Sequence, residues 1–376
     1  MPTLRKHIIQ LVEVSRFFGS DQDYVIAGGG NTSFKNEDFL WIKASGIPLA
    51  FISEHGFVCM SRSALQQVGD RQYSSNPLIR EEEVKKAIAS AVVSPENLRP
   101  SVETSLHNVV DFAYVVHTHP TLVNGLMCSV NAGTMTRKLF GDEAIYLEYT
   151  DPGFTLFNKV REKVVEYAEK HGESPAIIFL QNHGVFVGAD SIDEIKETYK
   201  AIHDKILGSI SIPKPAGYYE EIDSDLLLRI QNYLEEKGIL SKGYRGELIE
   251  HFTESRNAFS KIERPFTPDI IVYCKSHYLF LERDIDHESV AGHIENFRKE
   301  HGYYPKVILK EGAEMIICDE NERSVETVRD VFLDMMKISL LSENFGGPHF
   351  MSEDQIAFID NWEVENYRRK VAKQQK

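Results

Sequence analysis

Two apolar runs in this 376-residue chain each end on histidine, and no other pattern restricts its fold and chemistry as tightly. The first is Ala113-Tyr114-Val115-Val116-His117-Thr118-His119-Pro120; the second is Ala176-Ile177-Ile178-Phe179-Leu180-Gln181-Asn182-His183-Gly184. Side chains alternate across a strand, so His117 and His119 share one face. Two imidazoles at the end of a buried strand are a ready pair of metal ligands, and His183 becomes a third if both strands end at one place. Three histidines leave a position of a divalent ion open, which is the arrangement of catalytic sites and not of closed structural ones. Glu103 lies shortly before the first run, at the start of a helical segment that includes His107. Most of the other histidines stand in polar, helical or loop settings and carry no such signal.

Composition narrows the partners. A formal charge of −15 and a pI near 5.4 argue against a nucleic-acid or anionic-membrane surface, while leaving room for a local cationic pocket. A chain of this length that is 42% hydrophobic is expected to form more than one domain. No apolar run approaches the roughly 20 residues of a membrane span. The first residues lead into an amphipathic segment and not a signal peptide. Cys59, Cys128, Cys274 and Cys318 lack metal-ligand spacing and read as buried thiols, so a cytoplasmic location is expected.

In chain order, apolar residues recur at helical spacing over 4–18. Gly28-Gly29-Gly30-Asn31-Thr32-Ser33 then allows close backbone approach and offers short polar side chains for a small anion. It fits neither a P-loop nor a dinucleotide fingerprint, because both spacings are absent. Phe39–Lys43 reads as a hairpin partner ending at Ser45-Gly46. Lys43 is either an electrostatic aid to an anion or a solvated strand residue. Further strand is expected over 50–52 and 57–60, and a helix over 80–93 whose Glu81-Glu82-Glu83 run forms a solvated face. Ser101 is placed to cap the Glu103 helix or to touch a phosphate. A helix is expected over 121–128, a polar and mobile insert over 131–142, and a strand over 144–149. Helices over 154–170 and 191–207 flank the His183 strand and its return, 185–188. The segment 209–217 reads as a linker, 223–260 as helical and 268–273 as a strand. Gly346-Gly347-Pro348 and the tail Trp362-Glu363-Val364-Glu365 read as loop and helix.

Residues 175–188 and 305–318 align without a gap, and each is followed by an acidic turn and an amphipathic helix. His183 then falls opposite Ala313. More loosely, 114–119 lies opposite 270–275, with Tyr273 and Lys275 at the places of His117 and His119. This is either a partial internal echo without its metal ligands or the ordinary likeness of two strand–turn–helix units.

Gly29-Gly30-Asn31-Thr32-Ser33, Ile42-Lys43-Ala44-Ser45-Gly46, Ser101-Val102-Glu103 with His107, His117-Thr118-His119-Pro120 and Asn182-His183-Gly184 occur in the order and approximate spacing of the class II aldolase/adducin family. Over about 5–207 the chain resembles that family, and it looks most like the aldolase portion of bifunctional rhamnulose-1-phosphate aldolase/alcohol dehydrogenases. No dinucleotide-binding domain follows, so that second activity is expected to be absent. The resemblance implies an α/β fold with a central, mainly antiparallel sheet flanked by helices over 1–208. After the 209–217 linker, a smaller α/β domain, 218–376, would partly echo it. It further implies a homotetramer with one zinc per chain on His117, His119 and His183, and Glu103 as the catalytic acid/base. The substrate phosphate would lie among Gly30, Asn31, Ser45, Gly46 and Ser101. The family's second serine before the acid is Val102 here, so one hydroxyl is missing. Tyr149 matches a tyrosine that assists protonation from a neighbouring subunit.

The activity so implied is zinc-dependent cleavage of a ketose 1-phosphate, of the rhamnulose or fuculose type, to dihydroxyacetone phosphate and an aldehyde. Pentulose-phosphate 4-epimerases and decarboxylases share the site, although epimerases tend to carry Asp where Glu103 stands. Adducin-like scaffolds lack the metal histidines that this chain retains.

Overall fold

The structure, a computed structural model, describes residues 2–95, 97–312 and 314–362. It divides into two compact units. One holds 2–127, 131–209 and Trp362; the other holds 128–130 and 210–361.

In the first unit, α1 (Pro2–Gly19) precedes β1 (Asn31–Lys35), β2 (Phe39–Lys43) and β3 (Phe57–Ser61). Next come α2 (Arg62–Asp70), α3 (Pro77–Ser90), β4 (Val92–Ser94), α4 (Thr104–Val109) and β5 (Tyr114–Thr118). Then follow α5 (Thr121–Met127), α6 (Ala132–Phe140), β6 (Ile145–Leu147), α7 (Phe154–His171), β7 (Ile177–Leu180), β8 (Gly184–Ala189) and α8 (Ile192–Leu207). The eight strands form one sheet in the order β4-β3-β2-β1-β5-β8-β7-β6. Among the described strands of this sheet only the β6–β7 pair is parallel; the rest are antiparallel. This is the mixed α/β architecture expected, a large sheet flanked by helices.

Two apolar clusters hold helices to the sheet. Val115, Ile178, Leu180 and Phe186 pack with Leu156, Phe157 and Val160 of α7. Leu40, Ile42, Val58 and Met60 pack with Leu65 and Val68 of α2 and Val84 and Ile88 of α3. The central strands β1, β5, β7 and β8 are buried along their whole length. Their continuous apolar runs follow from cover on both faces.

The second unit contains β9 (Glu220–Ile222), α9 (Asp225–Glu235), β10 (Leu240–Arg245), α10 (Glu247–Thr253), α11 (Arg256–Phe259) and α12 (Pro268–Cys274). It continues through β11 (Leu279–Leu281), α13 (Val290–His301), β12 (Val307–Lys310), β13 (Glu314–Asp319), α14 (Glu322–Ser342) and α15 (Glu353–Asn361). Its sheet runs β11-β12-β13-β10-β9. Its core joins Leu226, Ile230 and Leu234 of α9 to Val290 and Ile294 of α13 across Ile308 and Ile316.

This sheet repeats the order of five strands of the first. Ile177 pairs with Val187 and Leu180 with Gly184; Val307 pairs with Ile317 and Lys310 with Glu314, the same register at a constant offset. A parallel neighbour, β6 or β11, flanks each hairpin. The turn carries a positive φ in both copies, 54° at Asn182 and 72° at Gly312. The preceding helices end on left-handed glycines, Gly172 and Gly302. The following helices start at capping residues Ser191 and Asn321. The echo therefore extends beyond the hairpin. The loose alignment of 114–119 with 270–275 is wrong, however. His117 pairs with Phe186, and the residue pairing with the equivalent Ile316 is Gly243 on β10. Ala313, aligned with His183, lies outside the described residues.

Several local expectations fail for identifiable reasons. Residues 268–274 form a helix because Thr267 caps it, accepting from the Ile270 amide, with Pro268 in the first turn. All-round burial had hidden its helical period. The stretch 223–260 is interrupted by β10, after Gly238 at φ 72° ends the α9 turn. The supposed insert 131–142 is α6, anchored by buried Thr136 and Phe140, the latter against Phe179 with ring centroids 4.7 Å apart. Residues 49–51 make one 3-10 turn after Pro48, not strand. Glu81 is not solvated: it is buried, and its carboxylate accepts from the Phe154 amide at 3.2 Å and pairs with Arg80. Gly346 and Gly347 lie in a loop at positive φ, whereas Glu363-Val364-Glu365 lies outside the described residues. All four cysteines are free and buried. Among the described residues no helix is long and apolar enough to cross a membrane.

Candidate metal centre and its acid

Antiparallel pairing of β5 with β8 brings the two histidine-bearing strand ends together. His117 sits in β5 beside Phe186, its ring stacked on the phenyl at 3.9 Å. His183 occupies the β7–β8 turn, which Asn182 makes possible with its φ of 54°. The Asn182 amide donates to the Met127 carbonyl at 3.1 Å, and Asn124 Nδ2 donates to the His183 carbonyl at 3.3 Å, so α5 braces the turn. Gly184 explains itself by contact: a Cβ there would stand 2.5 Å from the Thr118 carbonyl oxygen and 2.8 Å from the His119 ring.

The three imidazoles converge. His117 Nε2 lies 2.9 Å from His119 Nε2 and 3.3 Å from His183 Nε2. All three possible ligand atoms fall within 4.8 Å of one another. His117 Nδ1 faces the Val185 carbonyl at 2.9 Å. That contact requires a proton on Nδ1 and turns the Nε2 lone pair inward. Around a tetrahedral ion with metal–nitrogen bonds of about 2.0–2.1 Å, ligand nitrogens lie roughly 3.3–3.4 Å apart. The donor set and its spacing thus fit a divalent metal. Burial holds the His183 imidazole down to about 4, so it is neutral and able to ligate at neutral pH.

Glu103 joins this cluster from the helix N-cap of α4. Its Oε1 lies 3.2 Å from His117 Nε2 and 3.5 Å from His183 Nε2. Asn31 Nδ2 donates to its Oε2 at 3.3 Å. Burial raises this carboxyl, whereas imidazoles that carry a proton toward it hold it well below the usual range. Ser101 is not the N-cap. Its hydroxyl accepts from Asn31 Nδ2 and from the Glu103 amide, and its carbonyl accepts from Thr104. The 44–46 loop is zipped to the same segment: the Ser45 amide donates to the Arg99 carbonyl at 2.8 Å, and Ala44 bridges Pro100. Asn31 and Ser101 thus meet through their side chains, while Ala44 and Ser45 meet Pro100 and Arg99 through the backbone, with Gly46 next along the loop. Gly30, at φ 71°, is required by packing, since a Cβ would press on Leu49, Val25 and the His117 carbonyl. The Tyr149 amide donates to Gln181 Oε1 at 3.1 Å, which ties it to the His183 turn.

Residues outside the sequence expectation support the acid. Ser33 Oγ meets His107 Nδ1 at 2.8 Å, and the His107 amide donates to the Glu103 carbonyl. Lys35 Nζ donates to the His107 carbonyl at 3.0 Å from a nearly buried position, 4% exposed. Alternation from Asn31 through Ser33 to Lys35 was the available signal. Lys43, too, is buried and donates to the Ile47 carbonyl, so its solvated reading falls.

Burial pushes the Lys35 ammonium down to about 7, from 10.5, with Arg62 adding to the effect and Asp111 and Asp190 opposing it. The unfolded chain thus holds this proton more tightly between those values. Its contribution to stability rises with pH across that window and is least favourable below pH 7. Relative to Lys35→Met, wild type should gain roughly 3 kcal/mol in unfolding free energy as pH goes from 7 to about 10. Denaturant titrations of both proteins at the two pH values check this; parallel pH profiles would refute it.

Comparison with known proteins places these features in a family. The model for the Class II Aldolase and Adducin N-terminal domain matches residues 9–204. The uncharacterized oxidoreductase YuxG of Bacillus subtilis (strain 168) is 24% identical over 417 residues, covering 98% of this chain. The chain spans 59% of the length of that relative. The N-terminal class II aldolase domain of a conserved Thermoplasma acidophilum protein is 27% identical over 53% of this chain and 91% of its own, with a TM-score of 0.46. An L-fuculose-1-phosphate aldolase from Thermus thermophilus is 17% identical over 52% of this chain and 92% of its own, with a TM-score of 0.34. With a family match that runs through Glu103, His117, His119 and His183, the chain belongs to the class II aldolase/adducin family.

Proposed function

We propose that the first unit is a zinc-dependent aldolase that cleaves a ketose 1-phosphate, of the rhamnulose or fuculose type, to dihydroxyacetone phosphate and an aldehyde. The observation that carries this reading is a carboxylate, Glu103, poised 3.2 Å from a nitrogen of a three-histidine cluster. His117, His119 and His183 would hold one zinc per chain. When bound, zinc supplies Lewis-acid stabilisation of negative charge on the ketose oxygens. Glu103, ionised at neutral pH, is ready to accept a proton at carbon and to return it. Asn31 keeps its second oxygen oriented. The phosphate would be held at Asn31, Ser45, Gly46 and Ser101, on a loop turned by Gly30, with Val102 offering no further hydroxyl. Tyr149 would assist protonation across the subunit boundary of a cytoplasmic homotetramer.

The test is the zinc content of the purified chain beside His117→Ala and His183→Ala, with a coupled assay for dihydroxyacetone phosphate release from a panel of ketose 1-phosphates. The expected result is about one zinc per chain, lost in both variants, with release from at least one substrate. Zinc with epimerised or decarboxylated products instead would transfer the site to those relatives of the aldolases. Failure to take up any metal would leave a non-catalytic scaffold.

A further inference from the structure

Glu103 and the histidine cluster stand on separate elements, α4 and the ends of β5 and β7, and one residue touches the supports of both. α4 has 6 residues, too few to hold its own register, so the place of its N-cap Glu103 is set by whatever anchors the helix. His107 is held at three points. Its amide donates to the Glu103 carbonyl at 3.1 Å, and its carbonyl accepts from Lys35 Nζ at 3.0 Å. Its fully buried ring meets Ser33 Oγ through Nδ1 at 2.8 Å. The same ring makes a T-shaped contact with Phe186, centroids 5.4 Å apart and planes at 68°. Phe186 in turn stacks on the His117 ring at 3.9 Å, with the planes at 13°.

Burial holds the His107 imidazole well below its usual range, so the ring is uncharged, with one nitrogen protonated and the other bare. Its Nε2 has no hydrogen-bond partner among the described residues. A protonated Nε2 is better tolerated among aromatic rings than a bare lone pair, which leaves Nδ1 to accept from the Ser33 hydroxyl. We propose that His107 is a positioning residue for both halves of the site. Ser33 donates to Nδ1 and fixes the ring against Phe186, Phe186 holds the His117 ring, and the His107 main chain holds Glu103. Ser33 and Lys35 share a strand face with Asn31, which reaches Glu103 itself, so one face of β1 carries all three supports. The inference rests on the reading of His117 as a metal ligand and Glu103 as the acid.

The test begins on the metal-free full chain, with nitrogen NMR spectra of isotope-labelled histidine; His107→Phe and His117→Gln assign the two signals. His107 should be protonated at Nε2 and bare at Nδ1, and His117 should give one sharp signal. Ser33→Ala should broaden or split the His117 signal and weaken zinc binding by about tenfold. Ser33→Ala with His107→Phe removes hydroxyl and nitrogen together and keeps a ring against Phe186, so it should restore both readouts. Ser33→Ala with His107→Leu has no ring and should not restore them. A merely structural role predicts double variants that differ in thermal unfolding alone. Should the double variants unfold, Ser33→Thr, which keeps the hydroxyl, should retain the wild-type His117 signal that Ser33→Ala loses. A His107 protonated at Nδ1, a His117 signal unmoved by Ser33→Ala, or a leucine double variant equal to the phenylalanine one overturns the proposal. A wild-type chain that takes up no zinc sinks the aldolase reading, while the imidazole spectra still decide this one.

Discussion

Replacing Glu103 by glutamine is expected to lower cleavage of a ketose 1-phosphate by roughly 10²–10⁴-fold while leaving most of the zinc in place. The amide preserves the size of the side chain and can still meet Asn31, but it cannot take up a proton. The three imidazoles that would hold the metal do not depend on this carboxylate for position. His117 is fixed by the Val185 carbonyl and by stacking on Phe186, and His183 by its turn and by Asn124. Glu103 itself is placed by the α4 N-terminus and by Asn31, so the substitution leaves the pocket intact. Turnover and metal content measured on one preparation separate the alternatives. Loss of both together would make Glu103 a ligand and not a base. Near-normal turnover with full metal would remove it from the mechanism.

The histidine cluster was legible because strand alternation is strict. Once Val115 and Val116 mark β5 as buried, the shared face of His117 and His119 follows. The pairing that brings His183 to them depends on β5 lying next to β8, a contact between strands far apart in the chain. Motif order suggested that neighbour relation, but local sequence does not encode it. The support beneath Glu103 was harder to see. Ser33 and Lys35 look like ordinary polar residues of a hairpin strand until β1 is known to lie between β2 and β5. Burial then turns them toward His107 and its carbonyl. The second unit was read least well, for the same reason. Its strand β10 carries Ser241, Lys242 and Gly243 where a strand signal would need apolar residues, and α12 is buried at every position but Asp269. Periodicity therefore pointed to the wrong element in both places. The ungapped match of 175–188 to 305–318 survived because a two-strand hairpin, its turn and its capped helix are all local. The counterpart of β5 had to be found through register.

Gly184→Ala should weaken metal binding by roughly 10–100-fold, the range seen when a group that orients a metal ligand is lost. The added methyl would stand 2.5 Å from the Thr118 carbonyl oxygen and 2.8 Å from His119 Cδ2, closer than any real Cβ contact. The carbonyl belongs to the backbone of β5 and cannot rotate away, so the strand or the turn must give. Either movement is transmitted directly: His119 follows Thr118 on one side, and His183 precedes residue 184 on the other. The ligand nitrogens, now converging within 4.8 Å, would then be pulled apart at two of three positions. A global packing defect predicts something different, a fall in stability of the metal-free protein with normal affinity in whatever remains folded. Zinc titration against a chromophoric chelator, set beside thermal unfolding of the metal-free variant, distinguishes the two. Wild-type affinity in a well-folded Gly184→Ala chain would show that the β5–β8 contact does not position the ligands.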